Sequence, residues 1–184
     1  MSRHFRNLLS VLMLLTALLT ALLAGCKGKE EFAEPEAFSF VVYPGSRYLG
    51  QLTEATRNAH RALSPGQEPP PTAIYDTDAP VEQVSEFYAK EYGYKEVAPD
   101  VTNNLSAAKP PAYYRAGDLQ TDAKSIEELL KKMNMPTDVT KAQGTYRAAD
   151  ISPRPNRPRV TVQRPYFDVT TSQVVDRTLI LMTR

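Results

Sequence analysis

Residues 72–93, TAIYDTDAPVEQVSEFYAKEYG, hold a strand, a turn and a helix in one run. Thr72 to Asp76 is a short β-prone segment. Thr77-Asp78 offers a side-chain cap to the helix that follows, and Pro80 falls in its first turn, where a missing N–H costs nothing. Val81, Val84, Phe87 and Tyr88 recur at helical spacing and form one apolar face. Glu82, Glu86 and Lys90 lie on the other face, with Glu86 and Lys90 four residues apart. Gly93 is placed to end the helix in a left-handed cap.

Outward from this unit, short β-prone and helical segments alternate. Upstream, Phe38 to Tyr43 is a strand stopped by Pro44-Gly45, a turn dipeptide. Arg47 to Leu52 reads as a second strand and Glu54 to Leu63 as a helical turn or two, before the proline run Pro69-Pro70-Pro71. Downstream, Tyr94 to Ala98 alternates like a returning strand, and Tyr113 and Tyr114 fall in another. Ile126, Leu129, Leu130 and Met133 predict a second helix, capped by Asp122 or by Ser125, which with Glu128 fits a capping box, and ended by Pro136. Pairs Glu127–Lys131 and Glu128–Lys132 support it. Gly144 to Ala149, Arg159 to Arg164 and Arg177 to Thr183 are β-prone, and the last two are expected to pair antiparallel. The expected fold is α+β and two-layer: a mostly antiparallel sheet packed with about two amphipathic helices.

The N-terminus is of another kind. Arg3 and Arg6 precede Leu8–Leu23, sixteen mainly Leu and Ala residues interrupted only by Ser10, Thr16 and Thr20. That is short for a membrane span, which needs roughly 20. A positive start, a short apolar run and a small-residue site are the marks of a signal peptide. Leu23-Ala24-Gly25-Cys26 resembles the lipobox of bacterial lipoproteins. The resemblance implies cleavage before Cys26 and acylation of its sulfur, palmitate being one such chain. Lys27, not aspartate, follows the cysteine, which by the same resemblance favours the outer membrane facing the periplasm. One chain of myristoyl length binds marginally at about 0.8 kcal/mol per methylene, so lasting attachment takes two or three. The expected organisation is a signal peptide over 1–25, a lipidated acidic tether over 26–37 and a single α+β domain over 38–184.

Composition narrows the functions. The chain carries 22 Lys and Arg against 21 Asp and Glu. Without Arg3 and Arg6 the balance is slightly acidic, which argues against nucleic acid as a partner. Cys26 is the sole cysteine, so no disulfide chemistry is expected, nor any metal or cofactor. Of the two histidines, only His60 lies beyond the signal peptide. His60 and Ser64, four residues apart, are the one pair from which a hydrolase could be built, and this is the weakest functional reading. Tyr113-Tyr114-Arg115 is a candidate mouth for a small-ligand module, through stacking on a sugar or aromatic group. Arg147, Arg154, Arg157, Arg159 and Arg164 fall close together with only Asp150 among them. Of these, Arg154, Arg157 and Arg159 are the candidate contact with an anionic lipid or protein, with Pro153, Pro155 and Pro158 expected to hold them extended.

Tyr43-Pro44-Gly45-Ser46, the strand, the Thr/Asp cap and the helix carrying Phe87-Tyr88 together resemble small domains of envelope lipoproteins in two-membrane bacteria. That resemblance implies a fold and a location and carries no reaction with it. The function expected is a lipid-anchored, non-enzymatic envelope protein with an interaction or structural role at the membrane surface. Cys26→Ser is expected to leave an unacylated, uncleaved precursor, seen as slower migration and loss of labelled palmitate. A mature-sized product that still partitions into detergent would contradict the lipobox reading.

Overall fold

The Thr72–Thr77 strand is buried along its whole length, and the fold is built outward from it. The computed structural model describes residues 41–99 and 109–184. The signal peptide, Cys26 with Leu23, Ala24 and Gly25, and the acidic tether lie outside the described residues.

Eight strands are found among those residues, six of them in one sheet. In chain order they are β1 (Arg47–Tyr48), β2 (Thr72–Thr77), β3 (Ala112–Asp118), β4 (Thr145–Ile151), β5 (Arg159–Arg164), β6 (Tyr166–Asp168), β7 (Gln173–Val175) and β8 (Thr178–Thr183). The sheet runs β1-β2-β8-β5-β4-β3, every neighbour antiparallel, and β6 and β7 pair as a separate hairpin. The expected antiparallel pairing of 159–164 with 177–183 is present, with Val160 opposite Met182 and Val162 opposite Ile180. The long connection between these two strands is what forms the β6–β7 hairpin. The α+β class, with helices on an antiparallel sheet, is the one the sequence predicts.

Successive strand residues face opposite sides of a sheet, and here both sides find apolar partners. The first two helices are α1 (Gly50–Leu63) and α2 (Val81–Glu91), and Ala73 and Tyr75 of β2 join Ala149, Ile151, Val160, Val162, Ile180 and Met182 beneath α2. Val81, Val84 and Tyr88 of that helix are buried, and Glu82, Glu86 and Lys90 are exposed, as the periodicity requires. On the other side Ile74 packs with Leu52 of α1 and with Tyr166 of β6. Tyr146 and Ala148 pack with Leu119 and Ala123 of α3 (Leu119–Ser125) and Leu130 of α4 (Glu127–Lys132).

Several local expectations fail for identifiable reasons. Residues 41–43 carry no strand pairing; the Tyr43 N–H donates instead to the Tyr88 hydroxyl at 2.9 Å, and the two-residue strand comes only after the turn. That turn is as read: Gly45 takes φ +74°, and the Ser46 N–H donates to the Tyr43 carbonyl. The second strand expected over 47–52 stops at Tyr48, because α1 begins at Gly50 and takes over the edge of β2. The Leu49 N–H donates to the Ile74 carbonyl at 2.8 Å, and the Ile74 N–H donates to the Thr53 hydroxyl at 3.1 Å. Tertiary hydrogen bonds that satisfy a buried strand edge outweigh local β propensity.

Thr77 and Asp78 do not cap α2. Pro80 occupies the cap position, and Asp78 pairs instead with Arg177. Gly93 does close it, at φ +70°, with its N–H on the Lys90 carbonyl and the Tyr94 N–H on the Ala89 carbonyl. Those two bonds make a Schellman ending. Tyr94–Ala98 is not a strand: only Ala98 bridges, parallel, to Tyr113.

The second helix is broken at Ile126. Its start lies earlier, at Asp118, whose carboxylate accepts from the Thr121 N–H at 2.8 Å, and the Ser125 hydroxyl donates to the Asp122 carbonyl in place of a capping box. Those Thr121 hydrogen bonds, the backbone one foremost, hold Asp118 below the usual carboxylate range. Lys131 pairs with both Glu127 and Glu128, so the Glu128–Lys132 pair is not made.

Val84, fully buried against the sheet, gives the fold its direct test. Val84→Asp places an unpaired carboxylate in that core and is expected to cost several kcal/mol, comparable to the margin of a typical domain. Glu86→Gln, exposed on the same helix, is expected to shift the melting temperature little. Equal shifts for the two variants would contradict the packing.

Candidate functional site

Pro153, Pro155 and Pro158 do not hold their stretch extended: residues 154–157 form a turn. The Arg157 N–H donates to the Arg154 carbonyl at 2.9 Å, and Asn156 takes φ +62°. Pro155 pre-sets the second position of a type II turn, and asparagine tolerates the left-handed third. The turn therefore brings Arg154 and Arg157 to the two sides of one loop, beside Arg159 at the start of β5.

Two tyrosines at the end of α2 hold this loop in place. The Tyr92 hydroxyl donates to the Pro158 carbonyl at 2.9 Å, and the Tyr94 hydroxyl to the Ser152 carbonyl at 3.0 Å. The Arg154 guanidinium lies 4.4 Å from the centre of the Tyr94 ring, and its Nε donates to the Tyr92 carbonyl at 3.3 Å. Arg157 lies 5.3 Å from the Tyr92 ring. Such cation–ring contacts contribute about 0.5–1 kcal/mol each at exposed sites. Burial pushes the Tyr92 phenol up to about 12, with nearby Arg157 acting the other way.

Arg154, Arg157, Arg159 and Arg184 line a cavity of about 400 Å³. No Asp or Glu side chain among the described residues lines it. Among the described residues, the one ion pair any of these arginines makes is Arg157 with Glu91, at 4.0 Å. A smaller cavity of about 220 Å³ is lined by Lys109, Tyr113, Asp150, Ser152 and, again, Arg159. The site thus combines concentrated positive charge with a partly polar neighbour, a chemistry suited to holding an oxyanion.

The other sequence candidates are placed differently. Arg147 leaves the group, pairing with Glu82 at 2.8 Å over the Tyr114 ring, and Arg164 pairs with Asp176 at 2.8 Å. Tyr113, Tyr114 and Arg115 do not converge, because strand alternation turns Tyr114 toward α2 while Tyr113 and Arg115 face the other way. Tyr113 lines the smaller cavity. Arg115 is engaged with Asp150 (2.7 Å) and the Tyr146 hydroxyl (2.7 Å). Burial acts to lower the Arg115 pKa, but the hydrogen bond and charge of Asp150 raise it overall. His60 lies in the last turn of α1, and its backbone carbonyl accepts from the Ser64 N–H. Among the described residues, no hydrogen bond joins their side chains. Among the same residues, no group of three or more His, Cys, Asp or Glu is placed to hold a metal, and no helix is long and apolar enough to cross a membrane.

The sequence singles out the three arginines but not their supports. Nothing local links Tyr92 and Tyr94 to a loop some sixty residues on, or brings Lys109, Asp150 and Arg184 beside Arg159. No family model matches the chain, and no curated protein or solved structure matches it.

The tyrosine brace predicts alkaline behaviour. A phenol whose folded pKa is raised favours the protonated form, so its contribution is full below the unfolded value near 10 and is lost as pH rises toward about 12. Tyr92→Phe removes this component and the hydrogen bond to Pro158, and is expected to cost about 1 kcal/mol near neutrality. Urea unfolding from pH 8 to 11 should show a shallower alkaline loss for the variant than for the wild type. Parallel pH profiles would contradict the assignment.

Proposed function

We propose that this is a lipid-anchored, non-enzymatic envelope protein that engages anionic groups through the arginine end of its sheet. Anchoring rests on Leu23-Ala24-Gly25-Cys26 behind a short apolar run. The engagement rests on one observation above the others: three arginines that cluster in sequence line one cavity to which, among the described residues, no Asp or Glu side chain contributes. Two of them are pinned on tyrosine rings, which limits the freedom lost on binding. In this reading the acyl chains on Cys26 keep the protein at the outer membrane, and the arginines meet phosphate-bearing lipid.

Cations near an anionic surface contribute about 1 kcal/mol each, so three would raise binding roughly a hundredfold, and salt would weaken it. The test uses residues 27–184, without the lipid, and vesicles of phosphatidylcholine with or without phosphatidylglycerol. Binding is expected only to the anionic vesicles, to fall between about 50 and about 200 mM salt, and to be lost when Arg154, Arg157 and Arg159 are all replaced by glutamine. Equal binding to both vesicle types, or no loss in the triple variant, would overturn the proposal.

A further inference from the structure

We infer that the two cavities meeting at Arg159 form one site for a phosphomonoester carried on a sugar or other cyclic polyol. This rests on the anion-engaging reading above and narrows its ligand. Arg159 is the wall common to both cavities, so a ligand held by its guanidinium is offered two different environments.

The larger one is lined by Arg154, Arg157 and Arg159, with no Asp or Glu side chain among the described residues that line it. Forked guanidinium donors suit the several oxygens of a phosphate better than a single point charge would. The smaller one is different because Asp150 forms part of it. The Asp150 oxygens accept from Arg115 Nε at 2.7 Å and from the Thr161 hydroxyl at 2.7 Å. A carboxylate offers about four acceptor positions, so it can still accept from a ligand. Those open acceptor positions suit a group rich in hydroxyl donors. Ser152 and Lys109 add polar contacts, and the half-buried Tyr113 ring, with the Lys109 ammonium 5.4 Å from its centre, gives an aromatic wall. At about 220 Å³ this cavity is below the usual range for drug-sized ligands, roughly 300–1,000 Å³, and is on the scale of one ring.

The experiment uses the full chain in non-ionic detergent, with calorimetric titration of glucose 1-phosphate, inorganic phosphate and glucose. Glucose 1-phosphate is expected to bind at least tenfold more tightly than phosphate, and glucose not measurably. Arg159→Gln should weaken both anions tenfold or more. Tyr113→Ala should weaken glucose 1-phosphate severalfold and leave phosphate unchanged. An unchanged melting temperature for each variant shows that the fold is intact. Equal affinity for phosphate and glucose 1-phosphate, or no effect of Tyr113→Ala, would overturn the inference.

A second arm separates the sources of such a group. Phosphatidylcholine vesicles containing phosphatidylinositol 4-phosphate are compared with phosphatidylglycerol vesicles of matched surface charge. Preference for the phosphoinositide supports a lipid headgroup, and tight binding of glucose 1-phosphate without that preference supports a free sugar phosphate. Binding to phosphatidylglycerol vesicles with neither preference overturns this inference and leaves the anion-engaging reading standing. Failure to bind every anion overturns both.

Discussion

A fully buried carboxylate, Asp76 in β2, sets the terms for one end of this sheet. A charge taken out of water must be paired and hydrogen-bonded, and removing one partner of such a pair typically costs about 3–5 kcal/mol. Arg47 of β1 supplies both Nε, at 3.1 Å, and a second nitrogen, at 2.7 Å. The Tyr166 hydroxyl of β6 donates at 3.1 Å. Arg177, just before β8, brings its Nε to 3.0 Å, as an ionic contact not aligned for a hydrogen bond. Three separate parts of the chain are thereby tied to one oxygen pair. Burial first, and then the neighbouring Asp76 charge, push the Tyr166 phenol well above its ordinary value.

The two ends of the sheet are opposites in charge balance. At the Asp76 end, Arg47, Arg164 and Arg177 each find a carboxylate among Asp76, Asp78 and Asp176. At the far end, where Arg159 lies opposite Thr183 and Thr183 opposite Thr72, Arg157 reaches Glu91 only at 4.0 Å, and among the described residues neither Arg154 nor Arg159 makes an ion pair. Arginine content is therefore a poor guide by itself. What separates a structural arginine from one available to a partner is whether the fold delivers a carboxylate to it.

Close packing around small residues serves the same arrangement. A Cβ at Gly117 would come within 2.3 Å of the Tyr146 ring, so glycine is what lets that ring lie flat across β3. Its hydroxyl can then reach Asp122 at 2.6 Å while accepting from Arg115. Arg115 in turn holds Asp150, the acid that gives the smaller cavity its polarity. A backbone position with no side chain thus bears on the electrostatics of a site several residues away.

The sequence by itself determined the elements whose signal is local. The apolar stripe of Val81, Val84 and Tyr88, the Pro44-Gly45 turn and the Gly93 helix ending all follow from periodicity or backbone geometry, which neighbours in sequence control. The α+β class followed from the same signals, as did the clustering of Arg154, Arg157 and Arg159. Tertiary structure alone decided the rest. Helix α1 displaced an expected strand because the Thr53 hydroxyl and Leu49 N–H satisfy the buried edge of β2. Pro155 and Asn156 made a turn of an expected extended segment, and Tyr92 and Tyr94 reached across from a distant helix end to hold it. Only the fold could sort one run of arginines into Arg147 and Arg164, paired with acids, and three that line a cavity. Charge pairing depends on which distant carboxylates arrive, and that distance in sequence leaves no local trace.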